Sequence, residues 1–307
     1  MPFQLTILGS SSAMPTSSRY PTAQALNVLG RFFLIDCGEG TQHQIRKNKI
    51  SFGKLNHILI SHLHGDHFFG LIGLISTLIL LGRKNDLHIY AHSGLQEYTQ
   101  FQLNFLGITD PGFRLVFHPL NFKRTQRIYE DEKLSITSFP LKHRIACCGF
   151  RFDEKPAAPN IRKDQVKSHR IPVRDIKRIK AGEDFISDDG TRIPNSQLVI
   201  APPKARSYAY CSDTAYHEKI VEAVEGVDML YHEATFADGD NKLAKETFHS
   251  TGSQAARIAQ MAQARKLLIG HFSARYKKPE IILNEARSIF PETYVAEENQ
   301  QHTIVRE

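Results

Sequence analysis

The chain has 307 residues, 41% of them hydrophobic and 23% charged, which allows a sizeable core and excludes a disordered or fibrous composition. Its formal charge of +7 fits a polyanionic partner, and its longest apolar stretch, Phe68 to Gly82, falls short of the ~18 residues a membrane span needs. Four cysteines without paired spacing (Cys37, Cys147, Cys148, Cys211) exclude a disulfide scaffold, and no secretory leader is expected, so the expected location is the cytoplasm.

Gln4–Leu8 has the pattern of a strand and ends in a Gly-Ser-Ser-Ser loop. Two strand-like runs follow, Ala25–Leu29 and Phe32–Ile35, with Gly30-Arg31 expected as the hairpin turn between them. Asp36-Cys37-Gly38-Glu39-Gly40 closes the second run and opens a polar helix through Gln42–Lys47. The apolar run His57–Ile60 predicts a buried strand, and Phe69–Leu81 predicts a buried helix. Strand and helix then alternate through Leu87–Tyr90, Leu95–Phe105 and Arg114–Phe117, which predicts a layered α/β architecture.

Between the buried strand and the buried helix lies Ser61–Gly70, SHLHGDHFFG. It sets His62, His64, Asp66 and His67 within six positions, the pattern H-x-H-x-D-H. With 15 His and 15 Asp in the chain, a fixed four-residue pattern of this kind arises by chance roughly 0.002 times. A strand-to-helix turn is held by rigid neighbours, and alternate residues on it can converge: His62 and His64 on one point, Asp66 and His67 on a second. Imidazole nitrogens and carboxylate oxygens without thiolates are the donor set of a catalytic divalent-metal site.

Further on, Lys133–Phe139 alternates as a half-buried strand, runs into Pro140–Arg144, and is followed by the strand Cys148–Phe152. From Asp153 to about Asn195 the pattern dissolves into Pro, Lys, Arg and Asp with few core residues, so residues 153–195 are expected to be an inserted, flexible, basic arm in a single domain of residues 1–307. Lys155 to Lys180 carries nine Lys or Arg against two Asp, an excess equal to the net charge of the whole chain. Order returns with strands at Leu198–Ile200, Tyr208–Cys211, Asp228–Tyr231 and Lys266–Ile269. Helices are expected at Glu218–Val224, at Ala255–Ala264 behind a Thr251–Gln254 capping box, and from Pro279 to Ile289. His143, Asp213 and His271 fall at strand ends. Taken alone, Asp213 is equally a helix N-cap, and either histidine is an ordinary loop residue. Together with the turn they form the ligand supply expected at one edge of an α/β sheet, and the two oxygens of Asp213 can bridge two ions.

These stretches resemble one family throughout. LGSSSAMPTSSR (Leu8–Arg19), IDCGEGTQHQI (Ile35–Ile45), SHLHGDHFFGL (Ser61–Leu71), PLKHR (Pro140–Arg144), PPKARSYAYCSDT (Pro202–Thr214), HEATF (His232–Phe236), HST (His249–Thr251) and IGHFSARY (Ile269–Tyr276) are similar, in order, to the ribonuclease Z branch of the metallo-β-lactamase superfamily. The resemblance implies a four-layer αββα sandwich with the inserted basic arm as a tRNA exosite. It implies two Zn²⁺ per subunit, one at His62, His64, His143 and Asp213, the other at Asp66, His67, Asp213 and His271. It further implies a zinc-dependent endoribonuclease that removes the 3′ trailer of precursor tRNA and leaves a 3′-hydroxyl, working as a homodimer. Asp66 would orient the attacking water, and His249, held by Glu233, would protonate the leaving 3′-oxygen. Lys204 and Arg206 would position RNA phosphates, although the family pattern ends in Asn where this chain has Ser207. The arm also lacks the Gly-Pro pair of many bacterial relatives. A phosphodiesterase acting on small phosphodiesters is the alternative that the metal residues alone would allow. An RNA-binding protein with a vestigial site would need lost ligands, and all seven positions are filled.

Overall fold

The computed structural model describes residues 2–306. Six strands come first: β1 (Phe3–Gly9), β2 (Ala23–Val28), β3 (Arg31–Ile35), β4 (Leu55–Leu59), β5 (Leu87–Ala91) and β6 (Leu115–Pro119). Among them lie helices α1 (Thr41–Lys47), α2 (Gly65–Phe68), α3 (Gly70–Leu80) and α4 (Gly94–Phe105). Next come β7 (Gln126–Glu130), β8 (Leu134–Pro140) and β9 (Cys148–Glu154). The basic region holds β10 (Asn160–Ile161), α5 (Lys163–Ser168), α6 (Val173–Lys180), β11 (Phe185–Ile186), β12 (Arg192–Ile193), α7 (Asn195–Leu198) and β13 (Val199–Ile200). The chain continues as β14 (Ser207–Cys211), α8 (Ile220–Val224), β15 (Met229–Glu233), α9 (Asn241–Thr247) and α10 (Gly252–Met261). It closes with β16 (Leu267–Gly270), α11 (Glu280–Arg287), β17 (Thr293–Val295) and β18 (Gln301–Thr303).

Two compact units result. Residues up to Asp153 together with Arg206–Val305 form the body, and Glu154–Ala205 with Arg306 form a second unit. In the body, one seven-stranded sheet runs β18-β1-β2-β3-β4-β5-β6 and the other β17-β16-β15-β14-β9-β8-β7. The central strands, β14 and β15 for example, are buried at consecutive positions because both faces of each sheet are covered there. Alternate side chains show this directly. Phe33, Ile35 and Leu59 of one sheet meet Phe150, Phe152, Tyr208, Tyr210 and Tyr231 of the other in the core between the sheets. Their neighbours Leu34, Ile58 and Ile60 turn outward beneath α1, α3 and α4, and Ala209, Leu230 and Ile269 turn outward beneath α8, α10 and α11. The order helix, sheet, sheet, helix follows from this period-two alternation. Truncating one of the buried aromatics, Phe33 for example, would cost about 3–5 kcal/mol.

Local details differ from the sequence reading. The first hairpin turns at Leu29-Gly30, both with positive φ (54° and 88°), and Val28 pairs with Arg31. That is the two-residue turn whose twist matches the strands, one position earlier than Gly30-Arg31. The apolar helix begins at Gly70 rather than Phe69, because the Gly70 amide donates to the Cys37 carbonyl at 2.9 Å. A Cβ at Gly70 would stand 2.1 Å from the Gly38 carbonyl oxygen, so the break is set by close approach of the Asp36–Gly40 loop. Leu198 ends α7 instead of beginning a strand. The C-terminal strand β18, outside any predicted element, completes the first sheet against β1.

The second unit departs most from expectation. It has a small core of its own in which Ile171, Ile179, Phe185, Ile193 and Leu198 are buried. Its elements run from two to eight residues, too short for periodicity to announce them.

Candidate metal centre

Parallel strands β3, β4, β14, β15 and β16 end at one edge of the body, and the polar residues of the site follow their last residues. His62 and His64 follow β4, Asp66 and His67 sit in α2, His143 follows β8, Asp213 follows β14, and His271 follows β16. Asp213 is no helix cap, since α8 starts only at Ile220.

The seven side chains meet in two groups. His62 Nε2 lies 3.0 Å from His64 Nδ1, and His143 Nε2 lies 3.1 Å from the same atom. His67 Nε2 is 3.3 Å from His271 Nε2, and Asp66 Oδ2 is 3.4–3.5 Å from both. Asp213 stands between the groups. Its Oδ2 is 3.5 Å from His62 and 3.8 Å from His143, whereas its Oδ1 is 3.3 Å from His67 and 3.2 Å from His271. Nitrogen and oxygen donors about 2.0–2.1 Å from a tetrahedral cation stand about 3.3 Å from one another, which is the spacing seen in both groups. Asp213 Oδ1 is buried without a hydrogen-bond partner, an arrangement that costs free energy unless a cation or a donor compensates it. The donor set and its spacing therefore fit a pair of divalent metal ions.

The surroundings hold these rings in one orientation. His67 Nδ1–H donates to Asp36 Oδ2 at 2.8 Å, His143 Nδ1–H to the Phe248 carbonyl at 2.9 Å, and His271 Nδ1–H to Thr235 Oγ1 at 2.9 Å. His62 Nδ1 lies 3.0 Å from Ser61 Oγ. In each ring the Nε2 lone pair is left for the centre, the usual support of a ligating histidine. Asp36 is itself held by the Ser61 amide and hydroxyl and by the Tyr210 hydroxyl, at 2.7, 2.9 and 2.6 Å. Asp36, Phe248 and His271 all have φ near +60°, and three non-glycine residues in the left-handed region at one site mark stored backbone strain. None of Asp36, Ser61, Thr235 or Phe248 stood out as a site residue in the sequence, although Asp36, Ser61 and Thr235 lie within the resembling stretches.

Electrostatics follow from burial and proximity. Burial, with neighbouring imidazoles, lowers the pKa of His62 and His64, and burial lowers that of His143, so these rings are neutral and their lone pairs available. Burial opposes charge on His67, but Asp213, Asp66 and Asp36 outweigh it and raise its pKa. Burial would raise the Asp213 carboxyl, yet His271, His67 and His62 hold it well below the carboxylate range.

Glu233 ends β15 fully buried. Its carboxylate accepts from the Thr214 and Ser250 amides at 3.1 and 3.0 Å, from the Thr235 amide at 3.0 Å and from the Thr235 hydroxyl at 2.8 Å. It also accepts from His249 Nδ1 at 3.0 Å. Burial disfavours charge on His249, but Glu233 overrides it and the pKa is pushed up to about 9. His249 lines the same cleft as His64, Asp66, His143, Asp213 and His271, a cavity of about 550 Å³.

The two residues expected to position RNA separate. Lys204 is exposed. Arg206 is 5% exposed, donates to the Ile304 carbonyl at 2.9 Å and lies 5.3 Å over the Phe3 ring, so a role in presenting charge to RNA is corrected to one inside the body. Ser207, where the family pattern has Asn, is tied to Asp228 through its amide at 2.8 Å.

Fold and clustered donors together define a hydrolase of the metallo-β-lactamase superfamily. Residues 165–272 match the family described as beta-lactamase superfamily domain, and residues 3–155 match the family described as Anti-Pycsar protein Apyc1. "Ribonuclease Z" of Bacteroides thetaiotaomicron is 49% identical over 302 residues, covering 98% of this chain and 95% of that protein. "Ribonuclease Z" of Porphyromonas gingivalis W83 is 43% identical, covering 97% and 98%. Human tRNase Z, short form, superposes with a TM-score of 0.72 at 26% identity, covering 98% of this chain and 99% of its own. The chain belongs to the ribonuclease Z family, and it is an endoribonuclease of the metallo-β-lactamase fold.

Proposed function

We propose that the protein binds two zinc ions and removes the 3′ trailer from precursor tRNA by a single phosphodiester hydrolysis that leaves a 3′-hydroxyl. One observation carries the metal part: Asp213 directs one oxygen at each trio of donors, and Oδ1 has no hydrogen-bond partner. His62, His64, His143 and Asp213 would hold one ion, and Asp66, His67, His271 and Asp213 the other. When bound, such a pair lowers the pKa of water toward 7 and neutralises the charge of a phosphodiester.

The chain's own groups do the rest. Asp66, whose Oδ2 accepts from the Ala13 amide at 2.8 Å, orients the attacking water in line with phosphorus. A ribose 3′-oxygen leaves poorly as an alkoxide. His249 Nε2 supplies its proton, and the Glu233 carboxylate on Nδ1 keeps the imidazole charged and aimed. Asp213, His249 and His271 also fall within reach of one cation, but the donor sets above are complete without His249, which favours the proton-donor role.

The basic unit, with nine Lys or Arg against two Asp between Lys155 and Lys180, supports a phosphate-gripping exosite for tRNA. Among the described residues no helix is long and apolar enough to cross a membrane, and the family resemblance extends the reading to a cytoplasmic homodimer. The test is metal analysis of the purified protein, followed by incubation with a precursor tRNA and with a small phosphodiester, with and without chelator. Two zinc ions per chain, chelator-sensitive trailer removal and a 3′-hydroxyl on the product support the reading. Cleavage of the small ester alone favours the phosphodiesterase alternative, and a metal-free active enzyme rules out both.

A further inference from the structure

Among the residues lining the catalytic cleft, Phe69 is the one carbocyclic aromatic, and it is 52% exposed. Its exposure has a local cause. Phe69 stands four residues after Gly65, on the same face of the α2 turn, and its ring folds back over that glycine. A Cβ at Gly65 would meet Phe69 Cε2 at 2.2 Å, so the absent side chain at 65 is what lets the ring lie there. Behind it the ring packs edge-on against Phe68, with centroids 4.9 Å apart, and Phe68 is 7% exposed. The ring is thus seated on Gly65 and Phe68, and about half of the residue is left exposed in the cleft that His64 and Asp66 also line. Burying the exposed part of this ring is favourable.

We propose that Phe69 forms a nucleobase-stacking subsite for a nucleotide flanking the scissile phosphate. The occupant follows from the location. The cleft takes an RNA phosphodiester, so what lies beside the phosphate is a ribose and its base, and an exposed ring is the sequence-tolerant way to hold an unpaired base. The inference rests on the endoribonucleolytic reading of the site and adds a positioning residue outside the proposed metal ligands and proton donor.

The experiment uses the full-length, metal-loaded protein, a precursor tRNA with an unpaired trailer, and the same RNA carrying an abasic residue at the nucleotide on either side of the cut. Phe69→Ala is expected to raise KM about tenfold, with a smaller change in kcat, and Phe69→Tyr to restore KM to within about twofold. For one of the two abasic positions the wild-type protein should show the same loss, and Phe69→Ala should show no further loss on that RNA. An unchanged KM in Phe69→Ala overturns the proposal. So does a loss of the same size added on top of each abasic substitution, or a kcat loss accompanied by lost metal, because either marks a purely structural ring. Failure of the wild-type protein to cut the unmodified RNA would instead refute the proposed function itself, and this subsite with it.

Discussion

The cleft of the body and the basic unit are built on opposite plans. In the cleft, the far nitrogen of every Nε2-directed imidazole has a partner, the supporting carboxylates accept several hydrogen bonds each, and three residues are held in left-handed backbone. In the basic unit, a five-residue core suffices to fold short elements, and most of the lysines and arginines are exposed. Hydrolysis at phosphorus tolerates little displacement of the groups that perform it. Gripping a polyanion requires charge density more than exact placement, and phosphate contacts position an RNA without reading it. The difference teaches that rigidity has been concentrated where bonds break.

Substitutions should separate the two plans, beginning with the largest effect. Asp213→Ala removes the carboxylate shared by both donor trios, so metal analysis should show both ions lost and activity at background; retention of two ions with activity would break the contrast at its centre. His249→Ala should keep both ions and lower kcat by about 10²–10⁴, the range for a missing general acid. A normal rate would remove it from proton transfer. Asp36→Asn leaves all seven donors in place but weakens the support of His67. Metal affinity measured by competition with a chelator should fall about 10–100-fold.

The smallest effect on chemistry is expected in the basic unit. Replacing Lys163, Lys167, Lys177 and Lys180 by Ala should weaken tRNA binding and flatten its salt dependence, by up to about 0.9 in the slope of log K against log salt for each phosphate that is no longer neutralised. Hydrolysis of a small phosphodiester should be unaffected. An equal loss on both substrates would show that the charge serves folding rather than RNA.

Legibility followed the distance along the chain between interacting residues. The H-x-H-x-D-H turn was readable because four donors lie within six positions and are flanked by apolar runs, and the layered α/β class was readable because strands buried on both faces leave nearly unbroken apolar stretches. The four-layer sandwich itself came from the family resemblance. The capping box at Thr251–Gln254 was likewise local, and both of its reciprocal hydrogen bonds are present. The hairpin turn was misplaced by one residue because the choice between Leu29-Gly30 and Gly30-Arg31 depends on strand twist. The RNA-positioning role of Arg206 came from the family resemblance, and the burial of this residue against Phe3 and the Ile304 carbonyl depends on contacts remote in the chain.

The amino-acid sequence alone thus determined the layered class, the donor chemistry and the position of the basic excess, all of which are carried by composition and short-range periodicity. Tertiary structure alone decided that Asp36 and Thr235 orient the imidazoles and that residues 154–205 enclose a core of their own. The physical reason is that these depend on side chains brought together from well-separated parts of the chain, where hydrogen bonds and burial act through space and leave no periodic trace in the sequence.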